Sequence, residues 1–170
     1  VVELGAGSGA VSLSIAHEVP GARVHAIEIS EDALPYLERN LAGSGVDVRL
    51  GDIADAFPEL DGLVDVVVAN PPYIPLDEYL GVSREVREHD PPQALFSGDD
   101  GMDAMRVVAE VATRLLRPGG WFCAEHADSQ GETAPAVFIQ AGAFDSISDH
   151  LDLTGRPRFV VGRRAGRMGP

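Results

Sequence analysis

Short β-branched runs alternate with helical periodicity along most of this chain. That alternation restricts the fold to a mostly parallel α/β sheet with helices on both faces. Strands are predicted at residues 1–4, 23–28, 47–50, 64–69 and 121–125. A helix is predicted over 8–18. Another carries Met105, Val108, Ala109, Ala112, Leu115 and Leu116 on one face and is stopped by Pro118-Gly119-Gly120. Ser30 reads as the N-cap of a third, with Glu31 and Asp32 in its first turn, although Pro35 requires that helix to start later or to bend near its beginning. A helix from 129 to about 142 is followed by runs at 144–148 and 158–161, expected to pair antiparallel at one sheet edge.

The 170 residues fit one domain with one core, spanning 1–170. Apolar content is 45% and charged content 24%, and no apolar run approaches the roughly 20 residues that cross a bilayer, so no membrane segment is expected. Cys123 is alone, lies in an apolar run and reads as a small buried hydrophobe. A reducing, cytoplasmic setting follows. With 27 acidic and 13 basic residues the chain carries −14, a balance that repels phosphate backbones and suits a basic partner. Nucleic-acid binding through this domain alone is therefore not expected. Arg163, Arg164 and Arg167 read as a solvated basic tail. The chain opens on Val1-Val2 and enters a strand at once, so it is expected to be a piece of a longer protein.

Four successive predicted strands end in residues suited to ligand chemistry. Gly5, Gly7 and Gly9 join the first strand to the first helix, a turn that lets a ligand approach the helix N-terminus. The spacing satisfies G-x-G-x-x-A and, with Glu3, also E-x-G-x-G-x-G. Glu28 ends the second strand, where a carboxylate can take both ribose hydroxyls or simply be solvated. Asp52 follows the third strand and can accept from an adenine amine or cap a turn. In an open parallel sheet these ends share one cleft.

The fourth strand ends in Asn70-Pro71-Pro72-Tyr73. Conjugated NH2 groups attack an electrophile only when their N–H bonds are gripped and the nitrogen is held in line. The Asn70 side chain and the Pro71 carbonyl can grip, and Tyr73 can stack on a flat substrate and favour a sulfonium. From Asn70 to Met102 run about 30 residues with little periodicity, the length of a lid or binding loop. Asp77, Glu78, Glu85, Glu88, Asp99 and Asp100 within it are solvated or attract a basic partner.

These residues resemble the class I S-adenosylmethionine-dependent methyltransferases that act on planar nitrogen. The segment from Asp90-Pro91-Pro92-Gln93-Ala94-Leu95 to Asp103, Glu125-His126 with Gln130, and residues 158–163 are similar to the HemK (PrmC) protein-glutamine methyltransferases. Asp90 stands where that family commonly has glutamate, and Ala127-Asp128 replace a more glycine-rich pattern. The resemblance implies a Rossmann-like, seven-stranded sheet with an antiparallel last strand. It implies S-adenosylmethionine as donor and S-adenosylhomocysteine as product, with Glu3, Gly5, Gly7, Gly9, Glu28, Asp52 and Asn70 binding the donor. It assigns catalysis to Asn70, Pro71 and Tyr73, with Pro72 completing the substrate site. The implied acceptor is the glutamine of the Gly-Gly-Gln loop in class I peptide release factors, and a helical N-terminal recognition domain would lie outside this chain.

No metal is called for, and His17, His25, His89, His126 and His150 lack ligand spacing; His126 is expected at the cleft edge. Methylation of an adenine or guanine amine in DNA or RNA would use the same clamp, with the negative charge weighing against it. A non-catalytic nucleotide-binding module and an NAD-dependent oxidoreductase remain as alternatives. Neither accounts for Asn70 to Tyr73.

Overall fold

The computed structural model describes residues 1–81, 85 and 91–166; the expectations that rest on Glu88, His89, Asp90 and Arg167 lie outside them. Seven strands, β1 (Val2–Leu4), β2 (His25–Glu28), β3 (Asp47–Leu50), β4 (Val64–Ala69), β5 (Leu116–Glu125), β6 (Phe144–Leu151) and β7 (Pro157–Arg164), form one sheet. Their order is β3-β2-β1-β4-β5-β7-β6. The first five run parallel, and β7 lies antiparallel between β5 and β6. The expected antiparallel edge pair is present. The chain builds outward from β1 through β2 to β3, then crosses back to β4 on the other side of β1. That reversal opens a crevice beyond the carboxyl ends of β1 and β4.

Among the described residues the sheet is covered by helices α1 (Ala10–Glu18), α2 (Leu34–Leu41), α3 (Asp103–Leu115) and α4 (Thr133–Gln140). The larger core joins Val2, Leu4, Val67, Phe122 and Val160 of the sheet to Met105, Val108, Ala112 and Leu115 of α3 and Ala134 and Phe138 of α4. Phe122 and Phe138 stack with ring centroids 3.8 Å apart, and Phe144 meets Phe122 edge-on at 4.8 Å. On the other face Ala6, Ala26, Leu37 and Leu41 form a smaller cluster joined by Leu13 and Val48. No helix among the described residues is long and apolar enough to cross a membrane.

Several boundaries differ from the sequence expectation, each for a local reason. The first helix begins at Ala10 because Gly9 is left-handed, with φ of 84°. Ser30 caps a turn, its Oγ accepting from the Ala33 N–H at 3.2 Å, and α2 starts later with Pro35 in its first turn, where a missing N–H costs nothing. Helix α3 stops at Leu115, ahead of Pro118-Gly119-Gly120, which lies inside β5. The register there jumps from Val64 opposite Leu116 to Val66 opposite Trp121, so the Pro-Gly-Gly segment is accommodated as an outward bulge. The helix expected over 129–142 is split into a 3₁₀ turn, Asp128–Gln130, and α4.

Two expectations about single residues are corrected. Arg163 and Arg164 are held within β7: Arg164 donates to the Thr113 and Ala143 carbonyls, and Arg163 donates to the Gly119 carbonyl and lies over the Trp121 ring. Cys123 is only partly buried, and burial raises its thiol pKa.

Candidate active site

The turn between β1 and α1 needs its glycines for two different reasons. Gly5, Gly7 and Gly9 all have positive φ, at 72°, 55° and 84°. A Cβ on Gly5 or Gly7 would meet no protein atom within 4 Å, so their backbone is bare toward the crevice. A Cβ on Gly9 would meet Leu37 Cδ1 at 2.7 Å, so that glycine lets α2 pack closely. The crevice is a cavity of about 910 Å³, the size of a site for a nucleoside-sized ligand.

Two acids tie this turn down. Glu3, buried in β1, accepts the Ser12 N–H at 2.9 Å through Oε2 and also bonds the Ser12 hydroxyl, which fixes α1 over the strand end. Burial raises the Glu3 pKa, and the bonds from Ser12 oppose that rise. Glu28, 8% exposed at the end of β2, accepts the Gly7 N–H at 2.7 Å on Oε2 and the Ser30 N–H at 2.8 Å on Oε1. Each carboxylate oxygen of Glu28 retains a lone pair for a ligand hydroxyl. Three further turn donors are committed: Gly5 and Ala6 donate to the Ile27 carbonyl at 3.0 Å each, and Gly9 donates to the Ala6 carbonyl at 2.8 Å.

Asp52 is exposed, lines the same cavity and caps the 3₁₀ turn Ile53–Asp55 by accepting the Ala54 N–H at 2.9 Å. Asp52 thus caps its turn from a place on the cavity wall. Glu3, Glu28 and Asp52 give the cavity three carboxylates, and no basic side chain is among the described residues lining it. Such a site favours a cationic ligand and opposes phosphate.

Asn70 extends beyond β4 into the cavity wall with Pro71 and Pro72. Its side-chain amide has no hydrogen-bond partner among the described residues, so its carbonyl oxygen is available to an incoming N–H. Tyr73 is half-buried and sits apart from the residues that line the cavity. Its phenol faces Glu125 and Arg158, and its pKa is raised first by burial and then by the Glu125 carboxylate. The tetrapeptide thus separates two environments: Asn70, Pro71 and Pro72 face the cavity, while Tyr73 faces the β5–β7 edge.

His126 lies elsewhere than the expected cleft edge. It is completely buried, with Nδ1 2.8 Å from the Ala127 carbonyl and Nε2 2.8 Å from Asp149 Oδ1. It joins the end of β5 to β6.

Several lining residues were not singled out from sequence. Ile29 and Tyr36 line the cavity and are more than half exposed, and Ala104 and Val107 of α3 line it together with Pro91, Gln93 and Ala94 of the long loop, whose segment the family resemblance had already marked. Tyr36 lies between the apolar residues Pro35 and Leu37, so no local pattern sets it apart from the core positions of α2. The α3 residues carry no signal either, because small apolar positions on a helix read as core.

Comparison with known proteins gives three kinds of match. A family model described as a methyltransferase domain matches residues 1–151. The release factor glutamine methyltransferase of Streptomyces coelicolor is 54% identical over 165 residues, covering 97% of this chain and 59% of that protein. The 4-amino-L-phenylalanine/4-methylamino-L-phenylalanine methyltransferase of Streptomyces pristinaespiralis is 45% identical over 148 residues, covering 87% of this chain and 50% of that protein. The chain thus spans less than two thirds of the length of these curated relatives. Among solved structures, a SAM-dependent O-methyltransferase from Thermotoga maritima superposes with a TM-score of 0.67 at 14% identity over 99% of this chain and 60% of that one, which establishes the shared fold.

Proposed function

The chain belongs to the methyltransferase-domain family, and from that footing we propose that it transfers a methyl group from S-adenosylmethionine to the side-chain amide nitrogen of a glutamine, the Gly-Gly-Gln glutamine of a class I peptide release factor. The observation that carries this reading is the Asn70 amide, without a hydrogen-bond partner among the described residues, at the wall of a cavity lined by three carboxylates. Support for the acceptor comes from the 54% identity to a protein that bears that name.

The residues present fit the donor. Bare glycine backbone at Gly5 and Gly7 admits a close ligand, Glu28 offers two lone pairs to vicinal hydroxyls, and the carboxylate lining suits a cation. Gly5, Gly7, Glu28 and Asp52 would hold it. When bound, it supplies an electrophilic methyl group on a sulfonium that departs as a neutral thioether.

The protein's part is orientation. The Asn70 side-chain oxygen and the Pro71 carbonyl each accept one N–H of the acceptor amide, which turns the nitrogen lone pair out of conjugation and toward the methyl carbon. With the donor bound, the two oxygens would hold that lone pair in line with the methyl group, and one N–H proton would be given up to water once the nitrogen is methylated. Each acceptor is worth roughly 3 to 4 kcal/mol in the transition state. Pro71 and Pro72 fix φ, so the two oxygens are arranged before the substrate arrives.

A second acceptor class, a small arylamine, is favoured by the 45% identity to an aminophenylalanine methyltransferase. An arylamine also presents a conjugated NH2. Incubation with labelled S-adenosylmethionine and, in parallel, a class I release factor or free 4-aminophenylalanine tests the assignment. Label in the release factor alone supports it; label in the arylamine alone replaces it with the second reading.

A further inference from the structure

We infer that Gln130 is a positioning residue for the Asn70–Tyr73 clamp, an inference that rests on the reading above. Gln130 is 5% exposed, and its Nε2 donates to the Tyr73 carbonyl at 2.8 Å while its Oε1 accepts the Ala127 N–H at 2.9 Å. A buried carboxamide is costly unless bonded at both ends, and here both ends are used. The turn from Ala127 to Gln130 does not need this side chain to close, because the Gln130 N–H already donates to the Ala127 carbonyl at 2.9 Å. The Nε2 donor serves the loop after β4.

Its target matters because of the prolines. With φ fixed at Pro71 and Pro72, few torsions remain between the Asn70 side chain and the Tyr73 carbonyl. Holding the Tyr73 carbonyl therefore narrows the directions open to the Pro71 carbonyl, since only the ψ torsions of the two prolines and the torsions of Tyr73 lie between them. Among the described residues, Gln130 supplies the side-chain hydrogen bond to the backbone of this tetrapeptide. On the upstream side the β4 ladder holds as far as Ala69. On the downstream side Ile74 donates to Leu95 at 2.9 Å and accepts from Ser97 at 3.0 Å. Gln130 holds the point between them.

The support beneath Gln130 is rigid. His126 bonds the Ala127 carbonyl through one nitrogen and Asp149 of β6 through the other, so the turn that carries Gln130 is anchored to the sheet edge. Gly101 packs against the bond itself: a Cβ there would lie 2.4 Å from the Tyr73 oxygen and 2.8 Å from Gln130 Nε2. Three separate segments meet at this hydrogen bond, and only one of them carries the clamp.

The test compares Gln130→Ala and Gln130→Glu with the parent protein in turnover, S-adenosylhomocysteine affinity and pH profile. Gln130→Ala is expected to lower kcat about 10- to 100-fold, the size of a sub-ångström to ångström misplacement, with the dissociation constant for S-adenosylhomocysteine within about twofold of the parent. In Gln130→Glu the neutral acid donates O–H to Tyr73 and accepts from Ala127, whereas the carboxylate sets oxygen against oxygen. Its kcat relative to the parent should therefore rise as pH falls. The titratable and charged groups around it, Glu125, His126, Asp128, Asp149, Arg158 and Tyr73, are common to all three proteins, and in Gln130→Glu they set the pH at which the new acid titrates.

Parent-level kcat in Gln130→Ala, a loss matched by weakened S-adenosylhomocysteine binding, or a Gln130→Glu profile parallel to the parent would overturn the inference. If the parent itself methylates no release factor, the acceptor assignment fails while Gln130 is still decided by amide hydrogen exchange. Faster exchange confined to the stretch around Ile74 in Gln130→Ala supports the positioning role, and unchanged exchange there overturns it.

Discussion

Oε2 of Glu28 accepts the Gly7 N–H at 2.7 Å, so the protein's own carboxylate occupies a glycine-turn donor that a dinucleotide fold would offer to a phosphate. The Ser12 N–H is taken by Glu3, Gly5 and Ala6 are bonded to Ile27, and the carboxylates of Glu3, Glu28 and Asp52 line the same cavity, which opposes an anion at this turn. S-adenosylhomocysteine is therefore expected to bind with ordinary affinity and NAD to fail to displace it, measured by calorimetric competition. Displacement by micromolar NAD would contradict the assignment of the turn.

Glu28→Ala should weaken S-adenosylhomocysteine binding about 10- to 100-fold, the value of hydrogen bonds to a charged group at about 1.5 to 3 kcal/mol. Part of that loss comes from the Gly7 and Ser30 N–H groups left without their partner. Titration calorimetry reads it directly, and a change under twofold would remove Glu28 from the donor site.

Gly101→Ala inserts a methyl group into the Gln130–Tyr73 hydrogen bond from a third segment, at a residue whose φ is 73°. It and Gln130→Ala damage the same bond, so the double variant should lose less turnover than the product of the single losses. Strict additivity in a double-mutant cycle would mean that the two act separately.

Asp152 at the β6–β7 hairpin accepts from the Thr154 hydroxyl at 2.7 Å, the Thr154 N–H at 2.8 Å and the Arg156 N–H at 3.1 Å. These bonds, that of the Thr154 hydroxyl first, hold its pKa down at about 2 against an ordinary 3.8. A depressed carboxylate stabilises the fold above its ordinary value and loses that effect as pH falls through the folded value. Asp152→Ala should thus lower the melting temperature at pH 5 and approach the parent near pH 2. A pH-independent difference would show that Asp152 acts without its charge.

Much of the architecture was legible in the chain because parallel strands buried on both faces read as apolar runs, as at Val64–Ala69, and because glycines mark the first turn. The bulge at Pro118-Gly119-Gly120 was not, since a Pro-Gly-Gly sequence stops a helix and distorts a strand in the same composition. Within the candidate site, the residues at strand ends were legible, since position along the sheet alone brings Glu3, Glu28, Asp52 and Asn70 to one crevice. Which way each side chain turns was not. Tyr73 follows a proline pair and faces Glu125 and Arg158 instead of the cavity, and His126 is drawn inward by Asp149, a residue of a strand 23 positions later. Such pairings depend on register between β5, β7 and β6, which no local pattern encodes.

The most direct measurement is tandem mass spectrometry of a class I release factor after incubation with S-adenosylmethionine and this protein, with Asn70→Ala alongside. One added methyl is expected on the side-chain nitrogen of the Gly-Gly-Gln glutamine, formed at least about 100-fold more slowly by the variant, whose S-adenosylhomocysteine affinity stays near that of the parent. A methyl on any other atom, or equal transfer by Asn70→Ala, would contradict the proposed function.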